Sequence, residues 1–202
     1  MSFTTYLREL DRLLSRALVT DHQSSPMGLN QGANRAVDMI LDTARREAKV
    51  MIMGNGGSAA IASHFHNDLS KSVGVRSLVF DHTPLLTALA NDHGYACVFE
   101  RPLAMWAEEG DLAMIISSSG GSENVLRAAD CASRLGCRLI TLSGFKPDNP
   151  LRHQGDLNFY IASESYGLVE TGHSVITHFL TDKAMARIMD LKKAQKEKKG
   201  NR

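Results

Sequence analysis

The stretch Val50-Met51-Ile52-Met53-Gly54-Asn55-Gly56-Gly57-Ser58 decides the fold of this chain. Four apolar residues in succession are typical of a buried strand, and the glycines that follow let the backbone turn tightly into a helix. The arrangement recurs where Leu112–Ile116 leads into Ser117-Ser118-Ser119-Gly120-Gly121-Ser122. Because each loop leads into a helical pattern, we expect the two loops to form one concave site that binds an anion.

Strand-like runs alternate with helical stretches from residue 49 onward. Such alternation requires crossover connections, which produce a mostly parallel sheet with helices on both faces. The sequence therefore predicts a doubly wound α/β fold with a five-stranded sheet. Ligands of such sheets bind beyond the carboxyl ends of the strands, where both Gly/Ser loops lie. The predicted strands are Val50–Met53, Ser77–Phe80, Leu112–Ile116, Arg138–Leu142 and Leu157–Ile161, and the predicted helices lie near 58–71, 84–90, 95–108, 122–135 and 168–195.

Two amphipathic helical patterns precede this alternation. Apolar residues recur at helical spacing over residues 3–20, and a second helix is expected from about Pro26 to Glu47. We predict three parts: an N-terminal helical extension at 1–48, an α/β domain at 49–195 and a basic tail at 196–202. An apolar-faced helix outside a complete domain usually needs a partner surface, so the extension is expected to mediate oligomerisation. Packing against the chain's own sheet is the alternative.

Composition excludes several classes of function. The 202 residues carry 23 Lys and Arg against 22 Asp and Glu, so there is no electrostatic reason to expect nucleic acid as a ligand. The N-terminus is charged where a signal peptide would be apolar, and no segment approaches the roughly 18 continuous apolar residues of a membrane span. The three cysteines have no paired spacing. We expect a cytoplasmic protein that binds neither nucleic acid nor membrane.

The first loop alone has two interpretations. Gly54-x-Gly56-x-x-Ala59 matches the dinucleotide fingerprint, and Asp81 follows the next strand at a spacing suited to a ribose contact. A dinucleotide fold, however, does not require a second serine cluster. The N–H groups of a helix N-terminus and the hydroxyls of that cluster can bind several phosphate oxygens at once, which favours a phosphate monoester. An ordinary turn in which Ser122 caps a helix is the plain alternative.

Polar residues on two helices form a second candidate group. His64 and Asp68 are four residues apart, and Glu170 and His178 are eight apart, so each pair shares one helix face. Neutral imidazoles and carboxylates are suitable ligands for zinc and similar ions. With 8 His and 22 acidic residues in the chain, such spacing arises about once by chance, and it leaves the metal site open.

Five ordered blocks between about residues 50 and 180 resemble the sugar isomerase (SIS) domain family, and within it the phosphoheptose isomerases. The resemblance implies a flavodoxin-like SIS fold and a cytoplasmic homotetramer with sites at subunit interfaces. It also implies aldose–ketose isomerisation of sedoheptulose 7-phosphate to a heptose 7-phosphate. The blocks are Gly54–Ser58 with His64-Phe65, Ala90-Asn91-Asp92-x-Gly94, Ile116–Gly120 with Ser122-x-Asn124-Val125, Ile140–Gly144, and Glu170-x-x-His173-x-x-x-x-His178.

The same resemblance implies roles for individual residues. Asp68 and His178 would move a proton between C1 and C2 of the sugar through an enediol. A zinc ion would be held by His64, Asp68, Glu170 and His178. The sugar phosphate would be bound by Asn55, Gly56, Gly57, Ser58, Asn91, Asp92, Ser117, Ser118, Ser119, Ser122 and Glu170.

Two residues depart from the family pattern: Asp68 stands where the family has Glu, and Glu170 where it has Gln. The shorter Asp68 withdraws its carboxylate by about one methylene, and misplacement by roughly 1 Å can cost on the order of 100-fold in rate. A carboxylate at 170 should instead strengthen the binding of a divalent cation. We predict a metal-assisted sugar-phosphate isomerase. The alternatives are a non-catalytic SIS protein, either a sugar-phosphate sensor or a relative of the adaptor that binds the replication initiator, and a nicotinamide-dependent enzyme.

Overall fold

The computed structural model describes residues 1–200, and the side chains of residues 1–191 and 193. The predicted basic tail at 196–202 lies outside the described side chains. The strands are β1 (Leu18–Asp21), β2 (Pro26–Met27), β3 (Val50–Gly54), β4 (Ser77–Val79), β5 (Leu112–Ser117), β6 (Arg138–Ser143) and β7 (Leu157–Tyr160). The α-helices are α1 (Phe3–Ser15), α2 (Leu29–Arg45), α3 (Gly57–Asp68), α4 (Thr83–His93), α5 (Glu100–Trp106), α6 (Glu123–Arg134) and α7 (Tyr166–Gly200).

One sheet contains all of these strands, in the order β2-β1-β7-β6-β5-β3-β4. The five strands from β7 to β4 are parallel, with Val50 opposite Leu112 and Leu112 opposite Arg138. They correspond to the five strands predicted from the sequence, which confirms the doubly wound α/β class. The carboxyl ends of β3 and β5 are neighbours, because Gly54 pairs with Ile116.

The central strands are buried on both faces, which explains their unbroken apolar runs. Alternate residues of β3 enter two separate cores: Val50 and Ile52 pack into one, Met51 and Met53 into the other. The first core also includes residues of α2, α3 and α7, and the second includes residues of α5 and α6. Helices therefore cover both faces, as predicted.

The predicted number of strands is wrong, because β1 and β2 extend the sheet to seven. Strand β1 pairs antiparallel with both β2 and β7, with Val19 opposite Phe159. A turn held by Asp21, whose Oδ1 accepts hydrogen bonds from the backbone N–H of Gln23 and Ser25, joins the two new strands. Residues 18–20 continue the apolar spacing of α1, so the helical period concealed this short hairpin.

The two N-terminal helices differ in how far they are buried. Val37 and Ile40 of α2 are fully buried in the first core, whereas Leu13 is the buried residue of α1 and Phe3 and Leu7 are exposed. The second helix thus packs on the chain's own sheet, as the alternative expectation had it. The oligomerisation role of residues 1–48 stays a prediction. Among the described helices, none combines the length and apolarity needed to cross a membrane.

Gly32 of α2 provides a test of how the unpredicted hairpin docks. A Cβ at this position would lie 2.5 Å from Cγ1 of Val19, which is 1% exposed. Replacing a glycine inside a helix by alanine normally gains about 1 kcal/mol, but overpacking a core costs roughly 1–3 kcal/mol. We expect Gly32→Ala to lower the free energy of unfolding by about 1 kcal/mol, measured by urea denaturation.

The matched control is the same change in a Val19→Ala background, where the clash is relieved. There the alanine should raise the free energy of unfolding, by up to about 1 kcal/mol. If Gly32→Ala stabilises the protein that retains Val19, the hairpin does not pack on α2 as described.

Candidate active site

A polar cavity of about 290 Å³ lies at the carboxyl ends of β3 and β5. The N-termini of α3 and α6 border it, and the beginning of α7 closes one side. Nine residues predicted to bind substrate line this cavity, together with Tyr166, which sequence reasoning missed. The lining residues are Asn55, Gly56, Gly57, Ser58, Ser117, Ser118, Ser119, Ser122, Tyr166 and Glu170.

Glycines permit the two loops to approach each other. A Cβ on Gly54 would lie 2.8 Å from the carbonyl oxygen of Ile116, so no larger residue fits between β3 and β5 there. Gly56 has φ +53° and ψ −122°, a conformation that side chains other than hydrogen disfavour. The chain therefore turns at once from β3 into α3, and the N-terminus of α3 reaches the cavity.

A reciprocal amide pair joins the first loop to α6. Asn55 Nδ2 donates to Asn124 Oδ1 at 2.9 Å, and Asn124 Nδ2 donates to Asn55 Oδ1 at 2.9 Å. The hydroxyl of Tyr95 donates to the same Asn55 oxygen at 2.9 Å. Sequence reasoning did not assign a role to Asn124 or Tyr95. The signal for Asn124 was its place two residues after Ser122, within a block that resembles the family.

The serine loop is shaped by its own backbone. Ser117 Oγ accepts a hydrogen bond from the N–H of Gly120 at 3.1 Å, and Ser119 Oγ accepts one from Gly121 at 3.3 Å. Gly120 has φ +61°, and a Cβ there would lie 1.9 Å from Oδ1 of the buried Asn149. The loop is thus packed against a fixed support, and it is not an ordinary flexible turn.

Two serine hydroxyls of the loop remain available to a ligand. Ser122 is the N-cap residue of α6, yet its side chain makes no capping hydrogen bond. Ser118 is 4% exposed, and within the described part of the chain its Oγ has no hydrogen-bond partner. Leaving a buried hydroxyl unpaired costs free energy, and a ligand oxygen in the cavity would satisfy it.

Three of the four predicted metal ligands lie together between α3 and α7. Asp68 Oδ2 lies 3.4 Å from His64 Nε2 and 3.6 Å from His178 Nδ1. The two imidazole rings meet edge to face with centroids 4.8 Å apart. One ligand atom from each residue lies within 4.8 Å of the others, so the group is compact enough to hold one divalent cation.

The fourth predicted ligand, Glu170, lies elsewhere. Its carboxylate sits against Gly57, where a Cβ would be 2.3 Å from Oε2 and 2.6 Å from Oε1. Glu170 therefore lines the cavity, and it is not part of the group formed by His64, Asp68 and His178.

Two predicted substrate ligands are not brought into the cavity. Asn91 and Asp92 lie near the end of α4, are exposed, and hydrogen-bond to each other at 2.9 Å. No residue of α4 is buried within the described chain, so this helix is not packed against the chain's own core. These two side chains can serve a site only where another surface covers the helix.

Two further polar residues have structural partners. His173 is fully buried, and desolvation lowers the pKa of its imidazole to about 4, so it is neutral and its Nε2–H donates to the carbonyl of Ser143 at 3.2 Å. Ser143 pairs with Ser117 in the sheet, which places this imidazole behind the serine loop. Asp81, the ribose ligand of the dinucleotide alternative, accepts a hydrogen bond from Ser63 and lies outside the cavity.

Comparison with known proteins settles the family. The sequence matches the SIS domain over residues 5–144. The chain belongs to the SIS domain family. It is 35% identical over 161 residues to a phosphoheptose isomerase of Helicobacter hepaticus, covering 76% of this chain and 81% of that one. It is 37% identical over 150 residues to a phosphoheptose isomerase of Campylobacter concisus, covering 71% and 78% respectively.

Solved structures show the same fold. A phosphoheptose isomerase from Neisseria gonorrhoeae superposes with a TM-score of 0.77 at 23% identity, over 90% of this chain and 96% of that one. One from Francisella tularensis gives 0.78 at 22% identity, over 93% and 100%. With the sequence relatives, the SIS domain of this chain stands in the phosphoheptose isomerase group and is a sugar-phosphate isomerase.

Ser118 of this SIS domain gives a prediction with two opposite readouts. Ser118→Ala removes a buried unpaired hydroxyl, so the free energy of unfolding without ligand should rise by about 1 kcal/mol. The same change removes a phosphate ligand and should weaken sugar-phosphate binding roughly tenfold. Urea denaturation and calorimetric titration measure the two effects. Loss of stability without loss of affinity would show that Ser118 serves the fold and not the ligand.

Proposed function

We propose that this chain converts sedoheptulose 7-phosphate into D-glycero-D-manno-heptose 7-phosphate by metal-assisted aldose–ketose isomerisation. The observation that carries the proposal is the buried, unpaired Ser118 hydroxyl in a cavity between two helix N-termini. Such a cavity suits a phosphate ester, and relatives at 35% and 37% identity are phosphoheptose isomerases.

The phosphate end of the substrate fits the serine loop. The partial positive charge at the N-termini of α3 and α6 attracts a dianion, and the N–H groups of their first turns point towards it. The hydroxyls of Ser118 and Ser122 add donors that the protein does not otherwise use. We assign the phosphate to this loop and the sugar chain to the side of the cavity formed by Asn55 and Gly57.

The isomerisation itself needs a base for carbon and a group that serves the oxygens. The base removes one proton from C1 of the ketose, and the imidazole of His178 gives a proton to O2, which forms the enediol. The base then returns its proton to C2, and His178 takes the proton from O1, which leaves an aldehyde at C1. Both protein groups end in their starting states. The family resemblance predicts Asp68 as the base.

The residues present fit the zinc ion that the resemblance implies. Two imidazoles and a carboxylate with ligand atoms within 4.8 Å of one another are a donor set that zinc prefers in catalytic sites, which leaves one position open. We propose His64, Asp68 and His178 as its ligands. When bound, the ion supplies positive charge that stabilises the negative charge developing on substrate oxygens.

We also propose a cytoplasmic homotetramer with active sites between subunits. Helix α4 supports this, because it leaves Leu85 45% exposed and ends at Asn91 and Asp92, outside the cavity of its own chain. A neighbouring subunit would cover the helix and receive the two polar side chains.

Light scattering should give a mass about four times that of the 22.1 kDa chain. Leu85→Lys, which places a charge on the exposed face of α4, should lower the mass. A wild-type monomer that is fully active would contradict the assembly.

The decisive experiment follows the substrate in deuterated water. Zinc-loaded protein is incubated with sedoheptulose 7-phosphate and monitored by NMR. We expect a new aldose phosphate and deuterium bound to carbon, because the proton transferred between C1 and C2 exchanges with solvent. Neither product nor exchange over a range of divalent metals would overturn the proposed function. Binding of the sugar phosphate without exchange would indicate the non-catalytic sensor or adaptor class.

A further inference from the structure

The two carboxylates of this site occupy different environments. Glu170 lies in the wall of the cavity with the residues assigned to the substrate. Asp68 lies between the imidazoles of His64 and His178, at 3.4 and 3.6 Å, and is not among the cavity-lining residues. Of the described residues that line the cavity, Glu170 is therefore the one that presents a carboxylate to the substrate.

The position of Glu170 is determined by Gly57. The carboxylate oxygens occupy the space where any other residue at position 57 would place its Cβ, at 2.3 and 2.6 Å. Gly57 also begins α3, next to Asn55 and Ser58. The carboxylate is thus held at the side of the cavity that we assign to the sugar chain.

Distance along α7 separates Glu170 from the proposed metal ligands. Residues eight apart in a helix are separated by about 12 Å along its axis. Glu170 and His178 are so placed, and the Glu170 side chain turns to Gly57 on α3. Asp68, by contrast, has both of its imidazole neighbours within 4 Å and suits a role in positioning them or the metal.

We infer that Glu170, and not Asp68, is the catalytic residue that carries the proton between C1 and C2. The inference rests on the proposed function and changes its base. The Glu170 carboxylate takes a proton from C1 and becomes a carboxylic acid, while His178 protonates O2; the acid returns the proton to C2 as His178 takes the one on O1. An amide cannot accept this proton, so the residue type at 170 decides the chemistry. Glutamate also compensates for the shorter acid at 68.

Glu170→Gln tests the assignment, because it keeps size and hydrogen bonding and restores the residue that the family pattern has there. Removal of a general base typically costs roughly 100- to 10,000-fold in rate. We expect kcat and the exchange of C1 deuterium to fall by about this factor, with KM changed less than about threefold. Bound zinc, measured by mass spectrometry of the purified protein, should equal that of the wild type.

Two further variants separate the roles. Glu164→Gln removes the same charge from an exposed residue near α7 and should leave turnover and zinc content unchanged. Gly57→Ala keeps the charge but displaces the Glu170 carboxylate, so kcat should fall at least about tenfold while zinc stays bound. Circular dichroism melting curves check that each variant is folded.

The outcomes distinguish this inference from the function on which it rests. If the wild type isomerises sedoheptulose 7-phosphate and Glu170→Gln retains more than about a tenth of kcat, the base is not Glu170 and the proposed function stands. The inference also falls if the variant loses zinc and excess zinc restores its turnover, because Glu170 is then a ligand. If the wild type shows neither product nor exchange, the proposed function fails and this inference fails with it.

Discussion

The contact between the carboxyl ends of β3 and β5 is the constraint on which the site depends. Gly54 lets the two strands approach until its Cα faces the Ile116 carbonyl, and the paired amides of Asn55 and Asn124 fasten the first loop to α6. These contacts direct two helix N-termini into one cavity. A side chain at position 54, or loss of either amide, would separate two partial charges that attract an anion only when they converge.

The site is stabilised from outside and leaves polar groups free inside. Asn149 supports the serine loop, and the neutral imidazole of His173 bonds the strand behind it, so the loop does not depend on the ligand for its shape. Ser118 is meanwhile left without a partner at some cost to the empty protein. Such stored cost is typical of binding sites, where the ligand recovers it.

The sequence predicted those features that depend on local pattern. Apolar runs such as Val50–Met53 located the five parallel strands, because strands buried on both faces have no polar alternation. The hairpin of β1 and β2 was missed, since Val19 is apolar in helix and strand alike and only its pairing with Phe159 decides between them. The cavity residues were found through their Gly/Ser loops. The separation of Glu170 from Asp68 was not predictable, because it depends on how α7 packs on Gly57 across more than 100 residues of chain.

The strands at the two ends of the sheet limit how copies of this protein can associate. On one side β2 has two residues and includes Pro26, which has no N–H to donate; on the other side β4 has three residues. Neither border offers a length of unpaired backbone on which a second sheet could grow, so the molecule is protected against edge-to-edge aggregation. Its contacts with other copies are therefore left to side chains on helices, whose apolar surfaces can be specific where a bare strand edge cannot.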